Sequence, residues 1–186
     1  MAVRMSRKIW IIVVIVVVAV GATVGITLSH NPAGPAGPAS PPDSALSVIT
    51  WNETSLSTLE GTPVVLNFWS ISCPYCVQQL PYLENAAKQS EGQLEVIAVN
   101  TRDSASRIRT FFGDYEPTMT IAVDVNGQAF RDYCLAYDNA GRYIPFTLLI
   151  DSEGIVQDKR IGAFASEAQL WDTLNDVLGI TAPETS

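Results

Sequence analysis

Within 186 residues, 11 Lys and Arg stand against 19 Asp and Glu, and three of the basic residues, Arg4, Arg7 and Lys8, crowd the N-terminus. The remaining chain carries 8 basic against 19 acidic side chains, a net charge of −11 that argues against nucleic acid and against an anionic lipid surface as partners. Three cysteines are too few for a disulfide-stapled scaffold, so a close pair among them signals catalysis or metal binding.

In chain order, residues 1–8 form a short basic segment and residues 9–28 an uncharged run rich in Ile, Val, Ala and Gly. At about 1.5 Å per residue, a helix of that length crosses a ~30 Å hydrocarbon layer. Trp10 sits at its edge, where indole rings favour the headgroups. The basic residues precede the run and the next Lys or Arg is Lys88, so a single transmembrane anchor is expected with its N-terminus in the cytoplasm. A cleaved signal peptide is the competing reading, but its apolar core is usually only about 7–15 residues. Either way the rest is exported. Residues 29–45, SHNPAGPAGPASPPDSA, have almost nothing to bury and are expected to be an extended spacer. Residues 46–180 then make one domain of ordinary size, followed by a tail at 181–186.

Inside that domain strands and helices alternate. Residues 63–69 (PVVLNFW) and 94–100 (LEVIAVN) are short, β-branched apolar runs typical of strands covered on both faces. Residues 74–90 read as a helix bent at Pro81, and residues 104–115 as a helix capped by Ser104 or Asp103. A strand at 119–123 and a helix at 127–137 follow. Strands at 146–150 and 155–160 are joined by Asp151-Ser152-Glu153-Gly154, the signature of a tight antiparallel hairpin. An amphipathic helix at 166–178 closes the domain with Leu170, Trp171, Leu174 and Leu178 on one face. The order β-α-β-α-β-α-β-β-α predicts a central mixed sheet flanked by helices on both faces.

Cys73-Pro74-Tyr75-Cys76 lies where the first buried strand gives way to a helix. Proline favours the first helical position, which makes Cys73 the N-cap. The free N–H groups and dipole of the first turn then stabilise a thiolate on Cys73, while Cys76, one turn inside, keeps its proton. Cys73 is thus the expected attacking thiol and Cys76 the resolving one. A structural zinc site needs four ligands, yet beyond the pair only Cys134 and His30 remain, and His30 lies in the spacer. Neither a metal nor a cofactor is expected. A peroxidase reading is weaker still, because Cys76 supplies an exchange partner directly.

The segments VVLNFWSISCPYCVQQLP and YIPFTLLIDSEGIV resemble the TlpA/ResA-like branch of the thioredoxin superfamily, over roughly residues 48–178. The resemblance implies a thioredoxin-like fold and a membrane-anchored extracytoplasmic thiol–disulfide oxidoreductase. Many members of that branch are reductants in cytochrome c maturation, supplied by a membrane thiol carrier of the CcdA/DsbD type. It also implies that Pro145 is a cis-proline facing the pair, and Pro81 the helix-kinking proline. An Ile–Pro bond takes the cis form cheaply. The backbone of Ile144 is then left to pair with an extended substrate chain.

Several positions depart from that pattern or need separate weighing. Asn67 stands where cytoplasmic thioredoxins bury an aspartate, as is usual in this branch. Gln79 replaces a glutamate of the cytochrome-maturation reductases and cannot carry its charge, which weakens assignment to that pathway. Tyr75 makes the tetrapeptide CPYC, as in glutaredoxins, and Phe146 replaces a threonine common after the cis-proline. Trp69 and Trp51 are better explained by packing than by substrate contact, so Trp69 supports the site from within. Cys134, among Phe130, Tyr133 and Tyr137, reads as a small buried apolar residue. Three functions remain open: a reductase of disulfides in exported proteins, a disulfide-forming oxidant of the same fold, and a binding or chaperone-like module with a structural disulfide. Reduction potential separates them.

Overall fold

The structure, a computed structural model, describes residues 47–48 and 61–183. The expected anchor, the spacer and Trp51 lie outside the described residues. Among the described residues no helix is long and apolar enough to cross a membrane.

Among the described residues, six strands form one sheet in the order β1-β4-β3-β2-β5-β6. They are β1 (Ser47–Val48), β2 (Val64–Trp69), β3 (Glu95–Asn100), β4 (Thr120–Val123), β5 (Phe146–Ile150) and β6 (Val156–Ile161). The helices among the described residues are α1 (Pro74–Gln89), α2 (Ala105–Phe112), α3 (Gln128–Ala136) and α4 (Glu167–Leu178). β2, β3 and β4 run parallel, while β5 lies antiparallel to β2 and β6 antiparallel to β5. The mixed sheet and the element order match the expectation to within a few residues at each boundary. β1 was not foreseen, because two residues paired antiparallel with β4 carry no readable period.

The apolar runs are central strands for a plain reason: every residue of β2 and of β5 is buried, as a strand covered on both faces requires. Alternation then divides the core. Val65 and Trp69 of β2 join Cys76, Leu80 and Leu83 of α1 and Leu170, Trp171 and Leu174 of α4 on one face. Val64, Leu66 and Phe68 join Phe130, Tyr133 and Cys134 of α3 on the other. β6 has an exposed middle, Gln157-Asp158-Lys159, which suits an edge strand that must not pair with another chain.

Helix ends follow local chemistry. Ser104 and Ser166 accept from Arg107 N and Gln169 N, so α2 and α4 begin as read. The helix expected at 104–115 stops at Phe112, because Gly113 takes φ 60°. α3 has no side-chain cap at Gly127; the Asp124 carboxylate accepts from Ala129 N (3.3 Å) and Phe130 N (2.8 Å) instead. α1 runs unbroken through Pro81.

Candidate active site around Cys73 and Cys76

The parallel strands β2, β3 and β4 all point their C-terminal ends to one side of the sheet, and the loop after β2 carries the cysteine pair there. Cys73 has extended backbone angles and is the N-cap of α1, with Pro74 as the first helical residue. Its Sγ accepts from Cys76 N–H at 3.2 Å, the bond a thiolate in this place would use. The two residues form a disulfide with Cα atoms 5.2 Å apart. Cys73 is half-buried, whereas Cys76 is only 1% exposed. An attacking species from outside therefore meets Cys73 first.

The turn that presents Cys73 is tied to the next loop of the sheet. Asp103, just after β3, accepts from Ile71 N (2.9 Å) and from Asn100 Nδ2 (3.0 Å), and pairs with Arg107 (3.2 Å). Asn100, fully buried, accepts from Arg102 N and Asp103 N, which closes the loop upon itself. Within the turn Cys73 N donates to Ser70 O at 3.2 Å. Below it, buried Asn67 donates to Thr147 Oγ1 at 2.8 Å across the β2–β5 register. The Asn67 amide thus has a partner for its donor in the Thr147 hydroxyl.

On the far side of the pair, the Ile144–Pro145 bond is cis. The carbonyl of Ile144 lies 3.7 Å from Cys73 Sγ, near enough to accept from that thiol once the disulfide is reduced. Pro145 O accepts from Gly162 N at 2.8 Å, which joins this loop to the end of β6. Among the described residues, Ile144 N–H has no hydrogen-bond acceptor.

A family model described as the AhpC/TSA family matches residues 39–159, a span that holds the pair, both supporting loops and the cis-proline. The chain belongs to that family. Among its relatives, the thioredoxin-like protein YneN of Bacillus subtilis is 30% identical over 166 residues, covering 86% of this chain and 94% of YneN. The thiol-disulfide oxidoreductase ResA of the same organism is 27% identical over 176 residues, covering 92% and 94%. A solved Chlorobium tepidum protein, named as a candidate thiol:disulfide interchange protein DsbE, is 28% identical with a TM-score of 0.60, over 73% of this chain and 95% of that one. StoA of Bacillus subtilis shares the fold at 22% identity and a TM-score of 0.55, over 73% and 96%. The fold is thioredoxin-like, and with the pair in place the chain is a thiol–disulfide oxidoreductase.

Seen as a member of this family, the chain keeps some sequence-picked residues beside the sulfurs and sends others inward. Tyr75 is 68% exposed on the first turn of α1. Trp69 is fully buried and packs on Phe111 and Phe112, and its Nε1 has no partner among the described residues. Gln79 is also fully buried: its Oε1 accepts from Phe164 N at 2.9 Å, and its Nε2 has no partner among the described residues. Its donor thus fixes which way round the amide sits. Pro81 lies within α1, one turn beyond Val77. Cys134 is 2% exposed on the opposite face of the sheet, and burial pushes its thiol up to about 11.

Sequence reasoning passed over Asp103 as more than a cap, and over Asn100, Asn139 and Glu84 entirely. Each is polar and buried, but a single polar residue at a loop or on a helix has no period to mark it. Burial of Glu84 raises its carboxyl, but bonds from Thr118 N, Tyr115 OH, Met119 N and Lys88 outweigh it and hold the group below its ordinary value. That carboxylate ties α1 to the segment entering β4.

Proposed function

We propose that this enzyme is a membrane-tethered reductase of disulfides in exported proteins, acting outside the cytoplasm. Supporting the tether are the apolar run at 9–28 and the basic residues confined to its N-terminal side. The observation that carries the chemistry is the asymmetry of the pair: Cys73 at the helix N-cap accepting from Cys76 N–H, and Cys76 buried behind it.

The reduced pair works in two steps. Cys73 thiolate attacks one sulfur of the substrate disulfide, forms a mixed disulfide and releases the other substrate sulfur, which takes a proton. Cys76 then attacks Cys73 Sγ, the protein disulfide forms, and the second substrate thiol leaves. Two electrons pass to the substrate, and the protons shed by Cys73 and Cys76 balance those taken up by its thiols. The N–H of Ile144, without an acceptor among the described residues, suits an extended substrate chain lying beside the sulfurs. Apocytochrome c is the substrate class and a CcdA/DsbD-type carrier the electron source that the family resemblance suggests, although Gln79, in place of the glutamate of those reductases, weighs against that pathway.

Equilibration of the Cys73–Cys76 pair with a glutathione buffer tests the direction. A potential of about −250 mV or lower supports the reductase; one near −120 mV makes the enzyme an oxidant instead. A reporter fused to the C-terminus tests the location, and activity of that reporter in the cytoplasm would overturn it.

A further inference from the structure

The connection from α3 to the cis-proline is held more firmly than a connection needs to be. Asp138 and Arg142 both adopt left-handed backbone, with φ 55° and 51°, although neither is glycine. Such conformations persist where the surroundings enforce them, and they gather at functional sites. Between the two, Asn139 is 1% exposed and grips Tyr143 at both main-chain groups. Its Oδ1 accepts from Tyr143 N–H at 3.0 Å, and its Nδ2 donates to the Tyr143 carbonyl at 2.9 Å. Arg142 N closes the turn on Asn139 O at 2.8 Å. Gly141 completes the seat: a Cβ there would overlap Cε2, Cζ and Cδ2 of the Tyr143 ring.

All of this positions a ring that the fold itself does not bury. Tyr143 remains 65% exposed, immediately before Ile144, whose carbonyl is 3.7 Å from Cys73 Sγ. Tyr75, 68% exposed, stands two residues beyond Cys73. The two exposed tyrosines thus adjoin in the chain the two groups, Cys73 and Ile144, that an extended substrate engages. A tyrosine ring has only two side-chain torsions to lose on contact, and it offers both apolar area and a π face.

We propose that Tyr143, seated by Asn139 and Gly141, forms with Tyr75 an aromatic rim that selects extended polypeptides bearing an aromatic side chain next to the disulfide cysteine. The inference rests on the disulfide-exchange reading and names its substrate class. It holds for either direction of exchange, since the same mixed disulfide is passed both ways.

The test uses the full chain in detergent, pre-reduced, and follows one turnover in which the Cys73–Cys76 dithiol becomes a disulfide and the probe becomes two thiols. Three probes are compared: a peptide disulfide with Phe beside the cysteine, the same peptide with Ala there, and hydroxyethyl disulfide. The second-order rate constant is expected to favour the Phe peptide over the Ala peptide by about tenfold, the scale of one aromatic contact. Tyr143→Ala should cut that preference to under about twofold, whereas Tyr143→Phe should keep it, since the ring and not its hydroxyl makes the contact. Leu135→Ala, which removes an apolar side chain 75% exposed on α3, should also keep it. Equal rates for the two peptides, or a Tyr143→Ala variant slowed equally on both, overturns the rim while reaction with hydroxyethyl disulfide leaves the exchange reading standing. Silence toward all three probes overturns both.

Discussion

Cys76 and Cys134 lie on opposite faces of the central sheet and are hidden almost equally, 1% and 2% exposed. Each sits in a helix, and each contacts a layer of aliphatic and aromatic side chains. Yet Cys76 lies in the first turn of α1, three residues from a half-buried partner, whereas Cys134 lies in the last turn of α3 with no second cysteine near in sequence. A helix N-terminus favours a thiolate on the capping Cys73, to which Cys76 donates its N–H, and a helix C-terminus opposes one, so the two positions differ in surroundings as well as in company. Burial alone does not make a cysteine inert or reactive. The element that carries it decides.

The sharpest way to break that comparison is to remove each sulfur in turn. Cys73→Ser should abolish turnover and trap nothing, and Cys76→Ser should collect mixed disulfides that survive on a non-reducing gel, because the attacking thiol is left without its resolver. Cys134→Ser should leave turnover intact. Trapping by Cys73→Ser in place of Cys76→Ser would reverse the order of attack and undo the helix-cap argument.

A second measurement compares reactivity directly. With its thiol pushed up to about 11 by burial, Cys134 at pH 8 is thiolate in roughly one molecule per thousand, before its lack of access is counted. Iodoacetamide on the reduced native protein should therefore modify Cys73 readily and Cys134 only after denaturation. Mass spectrometry of peptides quenched at intervals reads both. Fast native labelling of Cys134 would show that the α3 face opens.

The two faces also differ in how they are fastened. The α3 side relies on ring packing, with Phe68 5.3 Å from Phe130 and 5.1 Å from Tyr133 between centroids. Each side also has a buried carboxylate: Asp124 caps α3, and on the disulfide side the group is Glu84. Its carboxyl is held below its ordinary value in the fold, so its contribution is complete above the ordinary carboxylate range and is lost as pH falls through the folded value. Glu84→Gln should cost about 1–3 kcal/mol of stability at pH 7, the scale of hydrogen bonds to a charged group. The gap from the unaltered protein, read from urea midpoints, should shrink below about pH 4.5. A gap that stays constant with pH would assign the loss to packing.

The smallest expected effect is at Gln79, one helical turn past Cys76 and fully buried. Gln79→Glu places a carboxyl on the buried face of α1 that Cys76 also occupies, and a nearby negative charge disfavours a thiolate. The pH profile of Cys73 alkylation should move upward by a fraction of a unit to about one unit. No movement would show that residue 79 serves only Phe164 N and that its neutrality says nothing about the pathway.

Much of the fold was legible because its signals are local. Consecutive β-branched residues in β2 and β3 can only be strands covered on both faces, and Cys73-Pro74 states where α1 begins. Ser104 and Ser166 mark helix starts by a side-chain oxygen, a property of a single residue, whereas the helix read to residue 115 overran Gly113, whose positive φ ends α2. Other features were not legible, since they depend on partners far apart in the chain. Gln79 accepts from Phe164, 85 residues on, and Asn67 meets Thr147 across 80.

From the sequence by itself came the cysteine pair at a strand-to-helix junction, the expected attacker within it by capping chemistry, and the alternation that builds a mixed sheet. Those follow from backbone geometry and the spacing of apolar residues over a few turns. Only the tertiary structure decided that Asp103 holds the turn before Cys73, that Cys134 lies on the far face of the sheet, and that Asn139 fixes Tyr143 beside Ile144. A buried polar group must find its partner wherever the folded chain brings one, and that partner is chosen by the packing of whole elements rather than by its neighbours in sequence.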